Sequence, residues 1–127
     1  MKTLFLVEDN LDNADLICDF LDGQFAVKRF PDASSVLLEL GKADSPAPDL
    51  FLLDISLPGM DGTSLLAQIR AMTRFRSTPA IALTAHAMKS DRASFLQAGF
   101  NDYVSKPITD EAVLLTAIRQ LTEAGPS

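Results

Sequence analysis

Polar residues close four separate apolar runs in this chain: Glu8 and Asp9 the first, Asp54 the second, Thr84 the third, and Lys106, ahead of Pro107, the fourth. Short apolar runs bounded by turn residues read as buried strands. In open parallel α/β sheets, ligands bind beyond the carboxyl ends of the strands. The pattern therefore gathers three carboxylates, one hydroxyl and one ammonium at one edge of one sheet. Carboxylates so close cannot all stay ionised without a raised pKa, a cationic partner or a metal. Lys106 offers one positive charge, and a hard divalent ion would offer two. Mg2+ suits the set, since it takes one or two carboxylates, several waters and a phosphate oxygen. A carboxylate beside Mg2+ and a lysine can attack a phosphoryl group and become an aspartyl phosphate. Positioning and charge neutralisation do most of the work in such a transfer.

Each residue has a plainer reading when taken alone. Glu8-Asp9 could be a polar strand end before a helix cap, and Asp54 a turn residue. Thr84 could be an ordinary strand residue, and Lys106 a solvated lysine. Their joint occurrence at four of five strand ends favours the site.

The elements that must position them alternate in period. Thr3 to Val7 reads as a strand, followed by Leu11, Ala14, Ile17 or Cys18, and Leu21 at helical spacing, closed by Asp22-Gly23. Phe25 to Phe30 is a second strand. Ala33, Val36, Leu37 and Leu40 mark a second helix, stopped by Gly41. After a Pro-rich loop, Leu50 to Leu53 is uniformly apolar, as a strand covered on both faces should be. Pro58-Gly59 and Asp61-Gly62 are turn signals, and Leu65, Leu66, Ile69 and Met72 line a third helix. Ala80 to Leu83 is a fourth strand. A helix from about Met88 to Ala98 ends at Gly99, Tyr103 and Val104 lie in a fifth strand, and Thr109 is the expected cap of a last helix carrying Val113, Leu114, Ala117, Ile118 and Leu121. The reading is α/β: a (βα)5 doubly wound parallel five-stranded sheet with helices on both faces. Residues 1–123 form one domain and 124–127 a short frayed tail.

Composition bounds the function. The 127 residues are 47% hydrophobic and 22% charged, an ordinary globular balance. No apolar run approaches the length of a membrane span. The single cysteine, Cys18, cannot form an internal disulfide, which fits a reducing compartment, and cytoplasm is the expected location. A net charge of −6 argues against nucleic acid as a partner, because phosphate affinity needs clustered Lys and Arg. Arg70, Arg74 and Arg76 are the nearest thing to a basic patch, and cations complementing a helix C-terminus explain them better.

The chain resembles the response-regulator receiver domains of two-component phosphorelay signalling. The residues that carry the resemblance are Val7-Glu8-Asp9-Asn10, Leu53 through Gly62, Leu83-Thr84-Ala85 and Tyr103-Val104-Ser105-Lys106-Pro107. The resemblance implies a flavodoxin-like strand order 2-1-3-4-5. It implies that Asp54 accepts the phosphoryl group from a phosphohistidine. Asp9 and Asp54 would bind Mg2+ directly, Glu8 through water, and Ser56 through its backbone carbonyl. Lys106 would pair with one phosphoryl oxygen, Thr84 would donate its hydroxyl to another, and Tyr103 would rotate inward as a switch. The Lys106-Pro107 bond would be cis. Ser56 and His86 would tune the lifetime of the phosphoryl group, and small Ala85 would leave it open to water. Such a protein is a phosphoacceptor with intrinsic self-phosphorylation and autodephosphorylation chemistry, not a conventional enzyme.

The implied partners are a histidine kinase or histidine phosphotransfer protein, docking beside Leu11, Ala14 and Cys18. Beyond them lies a downstream protein target or a second copy, on the face made by the fourth helix, fifth strand and fifth helix. About twenty residues follow Lys106, which leaves no output domain among these 127; output is then by protein contact, or the segment is a receiver cut from a hybrid sensor kinase. Two further classes stay in view. An aspartyl-phosphate phosphatase would carry a second Asp where Ser56 stands. A non-phosphorylated pseudo-receiver would have lost one of the site residues, and all are present.

Overall fold

The computed structural model describes residues 1–44, 46–85 and 89–123. His86 and Met88, and the tail expected at 124–127, lie outside the described residues. The elements run in strict alternation: β1 (Thr3–Val7), α1 (Leu11–Leu21), β2 (Ala26–Phe30), α2 (Ala33–Leu40), β3 (Leu50–Asp54), α3 (Gly62–Ala71), β4 (Ala80–Thr84), α4 (Lys89–Ala98), β5 (Asp102–Ser105) and α5 (Glu111–Thr122). A 3-10 turn at Thr73–Phe75, with no counterpart in the sequence reading, follows α3.

All pairings are parallel and the strand order is β2-β1-β3-β4-β5. The chain thus reverses direction of winding between β1 and β3, which are adjacent, and their carboxyl ends open the crevice where such sheets place ligands. Every residue of β3 and β4 is buried, as the uniformly apolar runs require. The pleat splits these side chains into two cores. Phe5, Val7, Phe51, Leu53 and Ala82 face α2, α3 and α4. Leu4, Leu6, Leu52, Ile81 and Leu83 face α1 and α5.

The helices begin where side chains satisfy the free backbone N–H groups of a first turn. Asn10 caps α1 by accepting from the Asn13 N–H, Asp32 caps α2 from Ser35, and Asp61 caps α3 from Ser64. The last helix corrects two expectations. Its cap is Asp110, which accepts from the Ala112 N–H, and not Thr109; the helix starts one residue later, and a carboxylate serves the cap. Val113 is 54% exposed, since Leu114, Leu115 and Ile118 already fill the buried stripe. Leu11 in α1 is likewise exposed, whereas Ala14 and Ile17 are core.

Candidate functional site

Glu8 and Asp9 leave β1, Asp54 ends β3, and Thr84 ends β4, so parallel pairing in register carries all of them to one edge. Val7 pairs with Leu53 and Asp54 with Leu83, which sets Glu8 beside Asp54 and Thr84 one step beyond. Glu8, Asp54 and Thr84 are buried; Asp9 is exposed. Ligand oxygens of Glu8, Asp9 and Asp54 all lie within 4.8 Å of one another. This oxygen-only set, two members buried and one open to solvent, fits a hard divalent cation.

Lys106 reaches into the cluster from beyond β5, and the Lys106-Pro107 bond is cis, as the resemblance implied. Its ammonium lies 3.1 Å from Glu8 Oε1 and 3.1 Å from Asp54 Oδ2. One cation is thus shared by two carboxylates. The second Asp54 oxygen, Oδ1, accepts the Ser56 N–H at 3.1 Å. Electrostatics follow from this crowding. Burial, together with a hydrogen bond to Asp54, raises the Glu8 pKa from 4.5 to about 7, although Asn13 and Lys106 pull it down. Burial alone would lower the Lys106 pKa, but its hydrogen bonds to Glu8 and Asp54 outweigh that and hold it above its ordinary value. The ammonium therefore stays charged beside a Glu8 carboxyl that burial has made easier to protonate.

Tyr103 is half-buried in β5, where it pairs with Ala82, and its ring packs against Phe95 of α4 at 5.8 Å. Ser56 and Ala85 are exposed beside the site.

Two contributors escape a sequence reading. Asn13 donates from Nδ2 to Glu8 Oε1 at 2.8 Å; in sequence it is one more polar residue in the first turn of a helix. Gly62 reads as a turn glycine, yet a Cβ there would lie 2.5 Å from the Asp54 carbonyl oxygen. Its N–H also donates to the Ile55 carbonyl at 2.9 Å. The start of α3 is thus pressed against the backbone of Asp54, and only glycine fits. A hint lay in Asp61-Gly62, where the glycine sits inside the helix start and not before it.

The arginine cluster is structural at Arg70. Arg70 donates to the carbonyls of Phe75, Thr78 and Gly99, and Arg74 lies over the Phe75 ring. Among the described residues, no helix is long and apolar enough to cross a membrane.

A family model for the response regulator receiver domain matches residues 4–119. An uncharacterized 14.6 kDa protein of Leptolyngbya boryana is 35% identical over 124 residues, 97% of this chain and 92% of that one. The signal transduction histidine-protein kinase BarA of Escherichia coli K12 is 34% identical over 125 residues, 98% of this chain but only 13% of the kinase. Among solved structures, the receiver domain of the sensor histidine kinase PA1611 from Pseudomonas aeruginosa superposes with a TM-score of 0.81 at 35% identity, covering 96% of this chain and 98% of that one. That receiver holds a magnesium ion in its active-site cleft.

Proposed function

This chain belongs to the response regulator receiver domain family, and from that premise we propose that it is a phosphorylation-dependent signalling switch with Asp54 as its phosphoacceptor. The observation that carries the reading is the environment of Asp54: buried, held at Oδ1 by the Ser56 N–H, and 3.1 Å from the Lys106 ammonium at Oδ2.

The donor is a phosphohistidine of a histidine kinase or phosphotransfer protein. An Asp54 carboxylate oxygen attacks phosphorus and forms the O–P bond as the N–P bond breaks; the electron pair stays on the imidazole, which takes up a proton. Asp9 and Asp54 would hold Mg2+ directly, Glu8 through water and Ser56 through its carbonyl, and the ion would supply charge neutralisation for the transfer. The magnesium of the PA1611 receiver supports this choice of ion. Lys106 pairs with a phosphoryl oxygen and Thr84 donates its hydroxyl to another. A small acyl phosphate can serve as donor in place of phosphohistidine. Attack of water on phosphorus later returns the free carboxylate and inorganic phosphate.

The switch follows from differential contact. A phosphoryl group brings about two negative charges and three strong acceptors, which Thr84 and Lys106 engage only once it has arrived. Shifting a two-state equilibrium by one or two orders of magnitude needs only ~1.4–2.8 kcal/mol, within reach of one or two charge-assisted contacts. Tyr103 then turns inward from its place beside Phe95, and the α4-β5-α5 face meets a downstream protein or a second copy. The reaction runs in the cytoplasm, within a unit formed by residues 1–123. A second reading is favoured by the match to one segment of BarA: the same chemistry inside a hybrid sensor kinase, with the phosphoryl group passed from that kinase.

Intact-mass spectrometry after incubation with acetyl phosphate, with and without Mg2+, tests the proposal on wild type and Asp54→Ala. One added phosphoryl group that requires both Mg2+ and Asp54 is expected. An adduct that persists in Asp54→Ala would move the acceptor elsewhere, and no adduct together with failure to bind beryllofluoride would favour a pseudo-receiver.

A further inference from the structure

We infer that Asn13 is a positioning residue for the cation site, its side-chain amide holding the Glu8 carboxylate in the orientation from which Glu8 serves the metal. The inference rests on the reading of Glu8, Asp9 and Asp54 as a Mg2+ site.

The Glu8 side chain has no exposed surface, so its donors must come from the protein or from what binds beside it. Oε1 accepts from two groups, Asn13 Nδ2 at 2.8 Å and Lys106 Nζ at 3.1 Å; Oε2 lies 3.5 Å from the same ammonium. These two donors differ in kind. Lys106 is shared with Asp54, sits at the end of a flexible stem, and follows charge. A negative group arriving on Asp54 would draw it away from Glu8. Asn13 is neutral and short, and its own backbone N–H is tied to the Asn10 side chain at 3.0 Å in the first turn of α1. Its amide can face an ionised carboxylate only through the NH2 group. Asn13 is therefore the donor that stays with Glu8 whatever Lys106 does. Groups that orient a metal-serving carboxylate from behind are worth about 10–100-fold in metal affinity.

The test is Mg2+ titration by calorimetry on the full chain, comparing wild type, Asn13→Ala and Asn10→Ala, with thermal melts alongside. Ala is a better helix former than Asn, so the first variant keeps its fold. Asn13→Ala should raise the Mg2+ dissociation constant by about 10-fold and slow acetyl phosphate labelling most at limiting Mg2+, the deficit narrowing as Mg2+ is raised. Asn10→Ala loosens the helix end that carries Asn13 but leaves the Asn13 amide present; it should lower the melting temperature and cost less Mg2+ affinity than Asn13→Ala. Wild-type affinity in Asn13→Ala, or equal losses in both variants, would overturn the inference while leaving the phosphoacceptor reading intact. Absence of Mg2+ binding by the wild type would overturn both.

Discussion

Each end of the sheet holds a partly buried cation, Lys106 at one and Arg70 at the other, and the two are used in opposite ways. At the carboxyl end of the strands, the Lys106 ammonium lies against two carboxylates, Glu8 and Asp54. Toward the amino end of β4, the described partners of Arg70 are neutral acceptors: the carbonyls of Phe75 at 2.8 Å, Thr78, and Gly99 at 2.9 Å, with the Asn101 side chain at 3.4 Å. Lys106 is held above its ordinary pKa by negative neighbours, whereas burial pushes Arg70 below its own. The first end is short of positive charge and gains by binding more. The second is already matched, carbonyl by carbonyl. One end carries excess negative charge, and the other holds neutral acceptors in a fixed arrangement.

Removing each cation should expose that difference. Lys106→Met leaves two buried carboxylates uncompensated and should cost about 3 kcal/mol in urea unfolding at pH 8 without Mg2+. The loss should shrink toward pH 6, where Glu8 can take up a proton; equal losses at both values would break the contrast. Arg70→Ala orphans neutral carbonyls, at about 2 kcal/mol. That loss should not vary between pH 6 and 8, and Asp54 should still be labelled by acetyl phosphate. The smallest effect belongs to Glu8 itself. With its pKa raised to about 7 in the folded chain from 4.5, the metal-free protein keeps this stability in full below about 4.5 and loses it as pH rises through 7. About 1–2 kcal/mol is expected, since part of the shift belongs to the pair with Asp54. Unfolding of wild type and Glu8→Gln from pH 5 to 8 checks it: the slope should be present only in wild type. Saturating Mg2+ should reverse its sign, because the ion favours ionised Glu8.

Much of the active end was legible in the sequence because strand ends announce themselves: an apolar run stops and a charged or hydroxylated residue follows. Parallel pairing then does the assembling, with no further specification needed beyond strand order. The other end was not legible. Arg70 sits in the last turn of α3, where a cation reads as a partner of the helix dipole. Its acceptors come from three segments, the farthest around Asn101, and nothing local in sequence joins them. Asn13 was hidden for a similar reason, since the direction of its amide depends on a carboxylate five residues earlier across the turn into α1. Gly62 was seen as a turn signal, but its need for glycine comes from the Asp54 carbonyl, a distance that only packing reveals. Thr109 and Asp110 are both acceptable caps, and a one-residue choice between them lies below what pattern can resolve.

The Arg70 contact with the Gly99 carbonyl also sets a mechanical ratio. Gly99 directly follows α4, so the guanidinium fastens the trailing end of a ten-residue helix. A helix of that length is about 15 Å long. Rotation by about 10° around the fastened end would carry the leading end through roughly 2.5 Å, about the reach of a hydrogen bond, while the pivot barely stirs. A fixed end of this kind turns a small tilt of α4 into a larger displacement at its other end.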